Sequence, residues 1–219
     1  TTLKKCGEDL CKMVLIPSYV GYTTLANASV FRAARDAHPK GDALEVLGMI
    51  GTKGPMTKKE IIDASRLSQD STAEALSELS RDCVLYQDGK GRYDIVPDAG
   101  IDRRDALKRV MLMLFNDFGM FTADLISMFM DIRMALTRSL LAELERDGTI
   151  TKGFLMEGDP TVRWILTEDV DADPRTLVEG MVLNSQDNLH LYLRDMIKRV
   201  TGKTESVVFH GTEIIGSFR

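Results

Sequence analysis

The sequence has few cysteines, a single tryptophan and no long apolar run, and these shortages exclude several classes of protein. Its three cysteines, Cys6, Cys11 and Cys83, do not form the framework of a disulfide-rich fold, so we expect a reducing compartment. No apolar stretch approaches the roughly 20 residues of a membrane-spanning helix, and no signal-peptide apolar region follows the N-terminus. We therefore predict a cytoplasmic protein with no membrane partner.

Motifs for nucleotide hydrolysis, metal binding and nucleophilic catalysis are also missing. The sequence contains no glycine-rich phosphate loop and no G-x-S-x-G elbow. Its histidines are isolated, and the pair Cys6 and Cys11 has no second pair to complete a zinc site. The acidic run over residues 168–173 is typical of a solvated linker. We therefore predict no catalytic residue, no metal and no cofactor, and no enzymatic activity of the chain on its own.

The composition is that of an ordinary globular protein. The chain has 219 residues, 44% of them hydrophobic and 28% charged, which fits one or two domains. With 28 basic and 33 acidic residues the net charge is -5, which excludes a strongly basic nucleic-acid coat but allows binding through a local patch. The first 40 residues carry six basic and three acidic groups, net +3, which makes them an auxiliary DNA contact in one interpretation.

Residues 42–96 show three helical patterns followed by two short β-rich runs. Thr57 and Glu60 form a capping box that opens the second helix, and a glycine-rich turn separates the two β-rich runs. The helices are predicted over 43–50, 58–66 and 71–81, and the hairpin over 83–96. This order predicts a winged helix, with the third helix as the recognition helix and the hairpin as the wing.

The same order returns about 60 residues later. Helices are predicted over 102–115 and 122–129, and a third, capped by Asp131, ends at Gly148. Strand-like runs follow over 149–155 and 162–166. The C-terminal part predicts a strand over 176–183, a helix over 188–200 and two further strands over 206–209 and 213–218.

The predicted fold class is therefore mainly α (α+β), with tandem winged helix-turn-helix units and a small C-terminal α/β element. The predicted divisions are a lead segment over 1–40, the first unit over 41–101, the second over 102–175 and the C-terminal element over 176–219. Within the lead segment we expect a short strand over 14–16 and a short helix over 29–37.

Candidate nucleic-acid contacts follow from the winged-helix prediction, because the start of the third helix meets base edges and the wing meets the backbone. In the first unit the candidates are Ser68, Gln69, Ser71, Thr72, Lys90 and Arg92. Acidic residues on that helix would repel phosphate, which favours an architectural or partner-binding role for this unit. In the second unit the candidates are Arg133, Thr137, Arg138, Lys152 and Arg163. Their alternative role is ion pairing with Glu143, Glu145, Glu157 and Asp159.

Two segments carry a resemblance to a known family. Residues 144–158, LERDGTITKGFLMEG, resemble the wing pattern G-x-[IV]-x-[KR]-G-[FY]-[FL]-x-E-G of the C-terminal region of the large helicase-related (Lhr) family. Residues 182–187 and 207–216 resemble the closing α/β segment of the same region. This module is shared with winged-helix DNA glycosylases that unhook interstrand crosslinks. The resemblance spans about residues 102–219 and, more loosely, residues 42–219.

The resemblance implies a DNA-engaging module of a repair or helicase system, with single-stranded or forked DNA as the partner. The glycosylase signature, Gln, an apolar residue, then Gln or Asp, is not matched at Gln69, Gln87 or Gln186. We therefore predict a non-catalytic DNA-binding module, acting chiefly through the second unit, as the C-terminal part of a helicase or repair protein. The alternatives are a divergent DNA glycosylase, a protein–protein adaptor that docks on a helicase core or another protein, and a transcription regulator.

Overall fold

A computed structural model describes residues 10–16, 19–154, 160–171, 180–185, 187–203, 205–210 and 213–218. Its helices are α1 (Leu25–Ala34), α2 (Gly41–Lys53), α3 (Lys58–Ala64), α4 (Gln69–Arg81), α5 (Arg103–Phe118), α6 (Ala123–Met130), α7 (Met134–Arg146) and α8 (Asn188–Thr201). Its strands are β1 (Leu10–Ile16), β2 (Tyr19–Thr24), β3 (Leu85–Gln87), β4 (Tyr93–Ile95), β5 (Met120–Phe121), β6 (Ile150–Gly153), β7 (Arg163–Leu166), β8 (Gly180–Leu183), β9 (Ser206–His210) and β10 (Glu213–Phe218). The fold is a mixture of helices and small antiparallel sheets, in agreement with the α+β prediction.

The first unit consists of α2, α3 and α4 followed by the β3–β4 hairpin. The predicted capping box is present, because the Thr57 hydroxyl accepts from the Glu60 amide and the Glu60 carboxylate accepts from the Thr57 amide at 2.7 Å. Helix α4 begins at Gln69, two residues earlier than predicted, because Ser68 caps it by accepting from the Ser71 amide. Apolar side chains on the inner faces of the three helices form one buried cluster.

The second unit repeats that order with α5, α6 and α7 followed by the β6–β7 hairpin, and β5 joins the hairpin in a sheet of order β5-β7-β6. The prediction that Asp131 caps the third helix is wrong. Asp131 ends α6 in the left-handed conformation, with φ 53° and ψ 49°, which aspartate tolerates better than most residues. Arg133 occupies the N-cap of α7 and makes no side-chain cap hydrogen bond.

From the third helix onward, equivalent residues of the two units are 65 positions apart in the sequence (137 minus 72). Thr72 and Thr137 are both fully buried, and each hydroxyl donates to the carbonyl four residues earlier. Cys83, with φ 58°, occupies the position of Gly148, with φ 73°, so the turn into the hairpin has the same left-handed backbone in both units. The predicted internal repeat therefore extends to individual hydrogen bonds.

Strands β1 and β2 and helix α1 of the predicted lead segment pack with the two units. Strand β1 pairs with β2 and, at Lys12 and Gln87, with β3, so the first hairpin becomes a four-stranded sheet of order β2-β1-β3-β4. Helix α1 lies at 25–34 instead of 29–37, because the Thr24 hydroxyl caps it by accepting from the Asn27 amide. Side chains of β1 and α1 share one buried cluster with those of α5, α6 and α7.

Three arginines connect α1 and its surroundings to both units. The Arg32 guanidinium donates to the Val96 carbonyl at the end of the first hairpin. The Arg35 guanidinium donates to the Met130 carbonyl at 3.1 Å and to the Leu15 carbonyl at 3.4 Å, and Arg103 donates to the Ala34 carbonyl at 3.3 Å. Charged hydrogen bonds of this kind each contribute about 1.5–3 kcal/mol, so they strengthen the apolar contact they surround.

The C-terminal element is an antiparallel sheet of order β10-β9-β8 with α8 beside it. Leu183, Ile197, Val207 and Phe209 form its own buried cluster. The predicted helix and the two last strands agree with α8, β9 and β10 to within one residue, whereas residues 176–179 of the predicted first strand lie outside the described residues. Within the part of the chain that the structure describes, no helix combines the length and apolar composition needed to cross a bilayer.

The contact between α1 and the second unit gives a stability prediction. Phe31 is 8% exposed and belongs to the cluster shared with α5, so Phe31→Ala should lower the free energy of unfolding by about 3–5 kcal/mol. Urea denaturation followed by circular dichroism measures this change. Leu44→Ala, at a position 57% exposed on α2, is the control and should change it by less than about 0.5 kcal/mol. Equal stability of the two variants would contradict the structural role of α1.

Candidate nucleic-acid interface

Two arginines of the predicted site lie at the start of α7. Arg133 is the N-cap residue and Arg138 lies in the second turn, and both are exposed. Neither has a hydrogen bond or ion pair from its side chain to another residue of the described ranges. Their charges are therefore available to a ligand, in contrast to those of Arg32, Arg35 and Arg103.

Two of the predicted contacts are not on the surface. Thr72 and Thr137 have no exposed area, and their hydroxyls hydrogen bond to the carbonyls of Ser68 and Arg133. A threonine in the fourth position of a helix can turn its hydroxyl back to the preceding turn while its methyl group packs inward. These two side chains therefore stabilise the third helix of each unit and present no atom to a ligand.

The cations of the second hairpin have partners within the protein. The Lys152 ammonium lies 2.8 Å from a carboxylate oxygen of Glu145, as the ion-pairing alternative predicts. The Trp164 indole N–H donates to the other Glu145 oxygen at 3.4 Å, and Trp164 lies opposite Lys152 in the β6–β7 register. Arg163 donates to the Thr161 carbonyl at 3.3 Å. Glu145 thus joins the third helix to both strands of the wing.

The other predicted acidic partners behave differently. Glu143 pairs with Arg104 of α5, and its pKa is lowered first by the hydrogen bond from that guanidinium. Lys108 approaches the same carboxylate at 3.9 Å and also pairs with Asp105 at 2.9 Å. Glu157 and Asp159 lie outside the described residues. The negative charge of Glu143 is therefore balanced from α5 and does not engage the predicted site cations.

A groove of about 380 Å³ lies between the first turn of α6, the outer face of α7 and the wing. Its charged groups are Asp124, Arg138 and Glu145, and Trp164 and Val162 form its apolar wall. Thr122 and Asp124 lie at its α6 end. Sequence reasoning treated Glu145 as an ion-pair partner only and did not consider Trp164. Trp164 faces Lys152 through the β6–β7 register, which the folded structure shows and a local sequence pattern does not specify.

The corresponding surface of the first unit is built differently. The Ser68 hydroxyl caps α4 by accepting from the Ser71 amide, and it also donates to the Ser71 hydroxyl. Gln69 and Lys90 are exposed. The Arg92 guanidinium binds Asp88 at 2.8 Å, and the Asp88 carboxylate also accepts from the amides of Lys90 and Arg92. Arg92 therefore fixes the hairpin turn. At the position of Arg138 this unit has Ala73, so its third helix lacks that cation.

Metal ligands are not gathered in the described residues, where no group of three or more His, Cys, Asp or Glu side chains lies close enough to hold an ion. Of the cysteines, Cys11 and Cys83 are buried free thiols, and burial raises the pKa of each. Cys6 lies outside the described residues.

Comparison with known proteins identifies the fold. No model of a known protein family matches the sequence, and no curated protein matches it. Among solved structures, the chain is similar to the Streptomyces sahachiroi DNA glycosylase AlkZ, with a TM-score of 0.66 and 13% sequence identity. The match covers 100% of this chain and 72% of the glycosylase chain. At this level of identity the similarity concerns the fold alone.

The carboxylate of Glu145 gives a pH prediction. The hydrogen bond from Lys152 lowers the pKa of Glu145 most strongly, burial opposes it, and the hydrogen bond from Trp164 lowers it further. Because the folded-state pKa is depressed, the stabilisation is present at neutral pH and is lost as the pH falls through that pKa. Emission from Trp164, the only tryptophan, should report this titration with a midpoint below the ordinary range of glutamate.

Lys152→Met should move that midpoint upward, because it removes the strongest contribution to the lowered pKa. Lys90→Met, at the exposed tip of the other hairpin, is the matched control and should leave the midpoint unchanged. A midpoint that is the same in wild type and Lys152→Met would show that the ion pair does not form in solution.

Proposed function

We propose that this chain binds DNA through its second unit, as a winged helix with α7 as recognition helix and β6–β7 as wing. The observation that supports this most strongly is the similarity of the whole chain to the fold of a protein named as a DNA glycosylase. The order of three helices and a hairpin, present twice, is the order of winged-helix DNA-binding domains. The first unit is proposed to be architectural or to bind a protein partner.

The charge distribution supports the second unit as the contact. Arg133 and Arg138 lie at the start of α7, where a recognition helix meets DNA, and both are exposed without an ion pair in the described ranges. The third helix of the first unit instead exposes Asp70 and Glu74 near its start. Phosphate repulsion there and attraction at α7 favour one unit over the other.

The proposed binding does not include base excision. Gln69 lies exposed at the start of α4, Gln87 is paired with Tyr93 in the β3–β4 register, and Gln186 lies outside the described residues. None of the three stands in the glutamine signature of the glycosylases that the sequence resembles. The resemblance of residues 144–158 to the helicase-related family remains the basis for proposing a place in a helicase or repair protein.

Fluorescence anisotropy with labelled duplex, forked and single-stranded DNA tests the binding proposal. Arg133→Ala/Arg138→Ala should weaken duplex and fork binding, and should reduce the slope of log affinity against log salt by about 1.8, or about 0.9 for each lost phosphate contact. Lys198→Ala/Arg199→Ala removes two exposed cations of α8 and is the matched control, with affinity expected to equal that of wild type.

Two outcomes would contradict the proposal. If the two double variants lose affinity equally, the binding follows overall charge and does not locate on α7. If the folded wild type binds no DNA at low salt, the chain does not bind DNA, and the protein–protein adaptor becomes the better account.

A second candidate function, hydrolysis of a damaged base from DNA, is favoured by the same fold similarity. Incubation with alkylated or crosslinked duplex, followed by hot alkali, converts abasic sites to strand breaks. We expect no breaks above the level without protein, because the glutamine signature is missing. Breaks that grow with time and protein concentration would replace the binding proposal with a glycosylase of different chemistry.

A further inference from the structure

A second groove, of about 620 Å³, lies on a different part of the molecule, between β2, α1 and α5. One side of it is a stripe of α5 at helical spacing, formed by Arg109, Leu112, Met113 and Asn116. The facing stripe of α1 contains Asn27, Val30 and Phe31 at the same spacing. The two helices pack along their inner faces, so these stripes leave an open channel at the surface.

The floor and the rim of this groove differ in character. Val30 and Phe31 are buried and Leu112 and Met113 are half-buried, which makes the floor apolar. The rim is polar, and Tyr22 at its edge is 52% exposed. The groove therefore offers apolar contact at its floor and hydrogen-bonding groups along its rim.

The polar groups of the rim are not engaged within the protein. In the described part of the chain, the side chains of Tyr22, Asn27, Asn116 and Asp117 have no hydrogen bond or ion pair. Arg109 is attracted electrostatically to Asp105 but donates no hydrogen bond to a described residue. Other arginines in or next to α1 and α5 donate hydrogen bonds to protein acceptors, namely Arg32, Arg35, Arg103 and Arg104. Arg109 differs from them because its guanidinium makes no such bond to a described residue.

The chemistry of the rim matches an unstacked nucleotide. An exposed tyrosine ring offers a face on which a base stacks, and an unpaired guanidinium binds phosphate. Asn27 and Asn116 can donate and accept at a base edge, and Asp117 can accept from an exocyclic amino group. Arg109 and Asp117 are eight residues apart (117 minus 109), or about 12 Å along the helix axis, so phosphate and base would bind at different ends.

We infer that this groove binds one unstacked nucleotide of a DNA single strand. Cytosine or adenine is preferred, because the exocyclic amino group of either base can donate a hydrogen bond to the Asp117 carboxylate. Tyr22 stacks on the base, Arg109 contacts the phosphate, and the apolar floor formed by Val30 and Met113 excludes water. The choice of DNA over other ligands rests on the proposed function, but the surface is separate from the start of α7.

Titration of the full chain with a four-nucleotide oligodeoxycytidine, followed by calorimetry and amide NMR shifts, tests the inference. Tyr22→Ala should weaken binding about tenfold, and Tyr22→Phe should bind as wild type, because stacking needs the ring and not the hydroxyl. Arg109→Ala should weaken binding and reduce the salt slope by about 0.7, the value for one contact to a single strand. Asp117→Asn should reduce the preference for oligodeoxycytidine over oligothymidine.

Arg199→Ala, an exposed arginine of α8, is the matched control for Arg109→Ala and should bind as wild type. Far-UV circular dichroism confirms that each variant is folded. Equal affinity of wild type and Tyr22→Ala would overturn the inference. It would also be overturned if the oligonucleotide caused no amide shifts in α1 and α5. Shifts there with an amphipathic peptide but not with the oligonucleotide would assign the groove to a protein partner and also overturn it.

The same variants separate this inference from the proposed function. If the affinity for the oligonucleotide depends on Arg133 and Arg138 but not on Tyr22, the oligonucleotide binds at α7, and the groove inference alone fails. If that affinity depends on Tyr22 while the α7 double variant binds duplex DNA as wild type does, the groove inference stands and the proposed interface fails.

Discussion

The buried contact between α1 and α5 is the interaction on which the arrangement of the two units depends. Phe31 and Ala34 of α1 share a cluster with Leu107 and Val110 of α5, and burial of each large side chain contributes about 1.5–3 kcal/mol. Around this contact, arginine side chains donate to carbonyls at the ends of elements from both units. The preceding strand β1 extends the first hairpin. A segment outside either repeat therefore fixes where both repeats lie, and with them the surfaces they present.

This dependence explains why the repeats can share a core and differ in surface. Leu76 and Leu141 occupy equivalent buried positions, 65 residues apart, because each third helix must pack against its own unit. One turn earlier, Ala73 and Arg138 are also equivalent, but neither is buried. Packing therefore requires an apolar residue at the first pair of positions, whereas the second pair differs in charge. The fold similarity to a DNA glycosylase concerns the packing, whereas an interface is determined by the exposed side chains.

The parts of the structure that sequence analysis predicted are those determined by neighbouring residues. The capping box at Thr57 and the period of apolar residues depend on contacts three and four positions apart, which can be read directly. The pairing of Lys12 with Gln87 joins residues 75 positions apart (87 minus 12), and no local pattern specifies it. Likewise, the spacing of Arg133, Thr137 and Arg138 placed them on adjoining faces, but only the packing of α7 determines that Thr137 faces inward. The Lys152–Glu145 pair forms because the wing folds back against α7, and no local pattern in the sequence specifies that contact.

A net charge of -5 is compatible with DNA binding because much of the negative charge near the proposed interface is already balanced. Glu143 is held by Arg104 and Glu145 by Lys152. These pairs are short-range, and beyond about 8–10 Å the solution screens what remains of their fields at physiological salt. Arg133 and Arg138 therefore act as local charges whose effect on a phosphate is little reduced by distant carboxylates. Such an interface, with few contacts and a weak overall field, gains affinity from fit at the third helix more than from long-range attraction, because electrostatic steering requires a charged surface larger than two side chains.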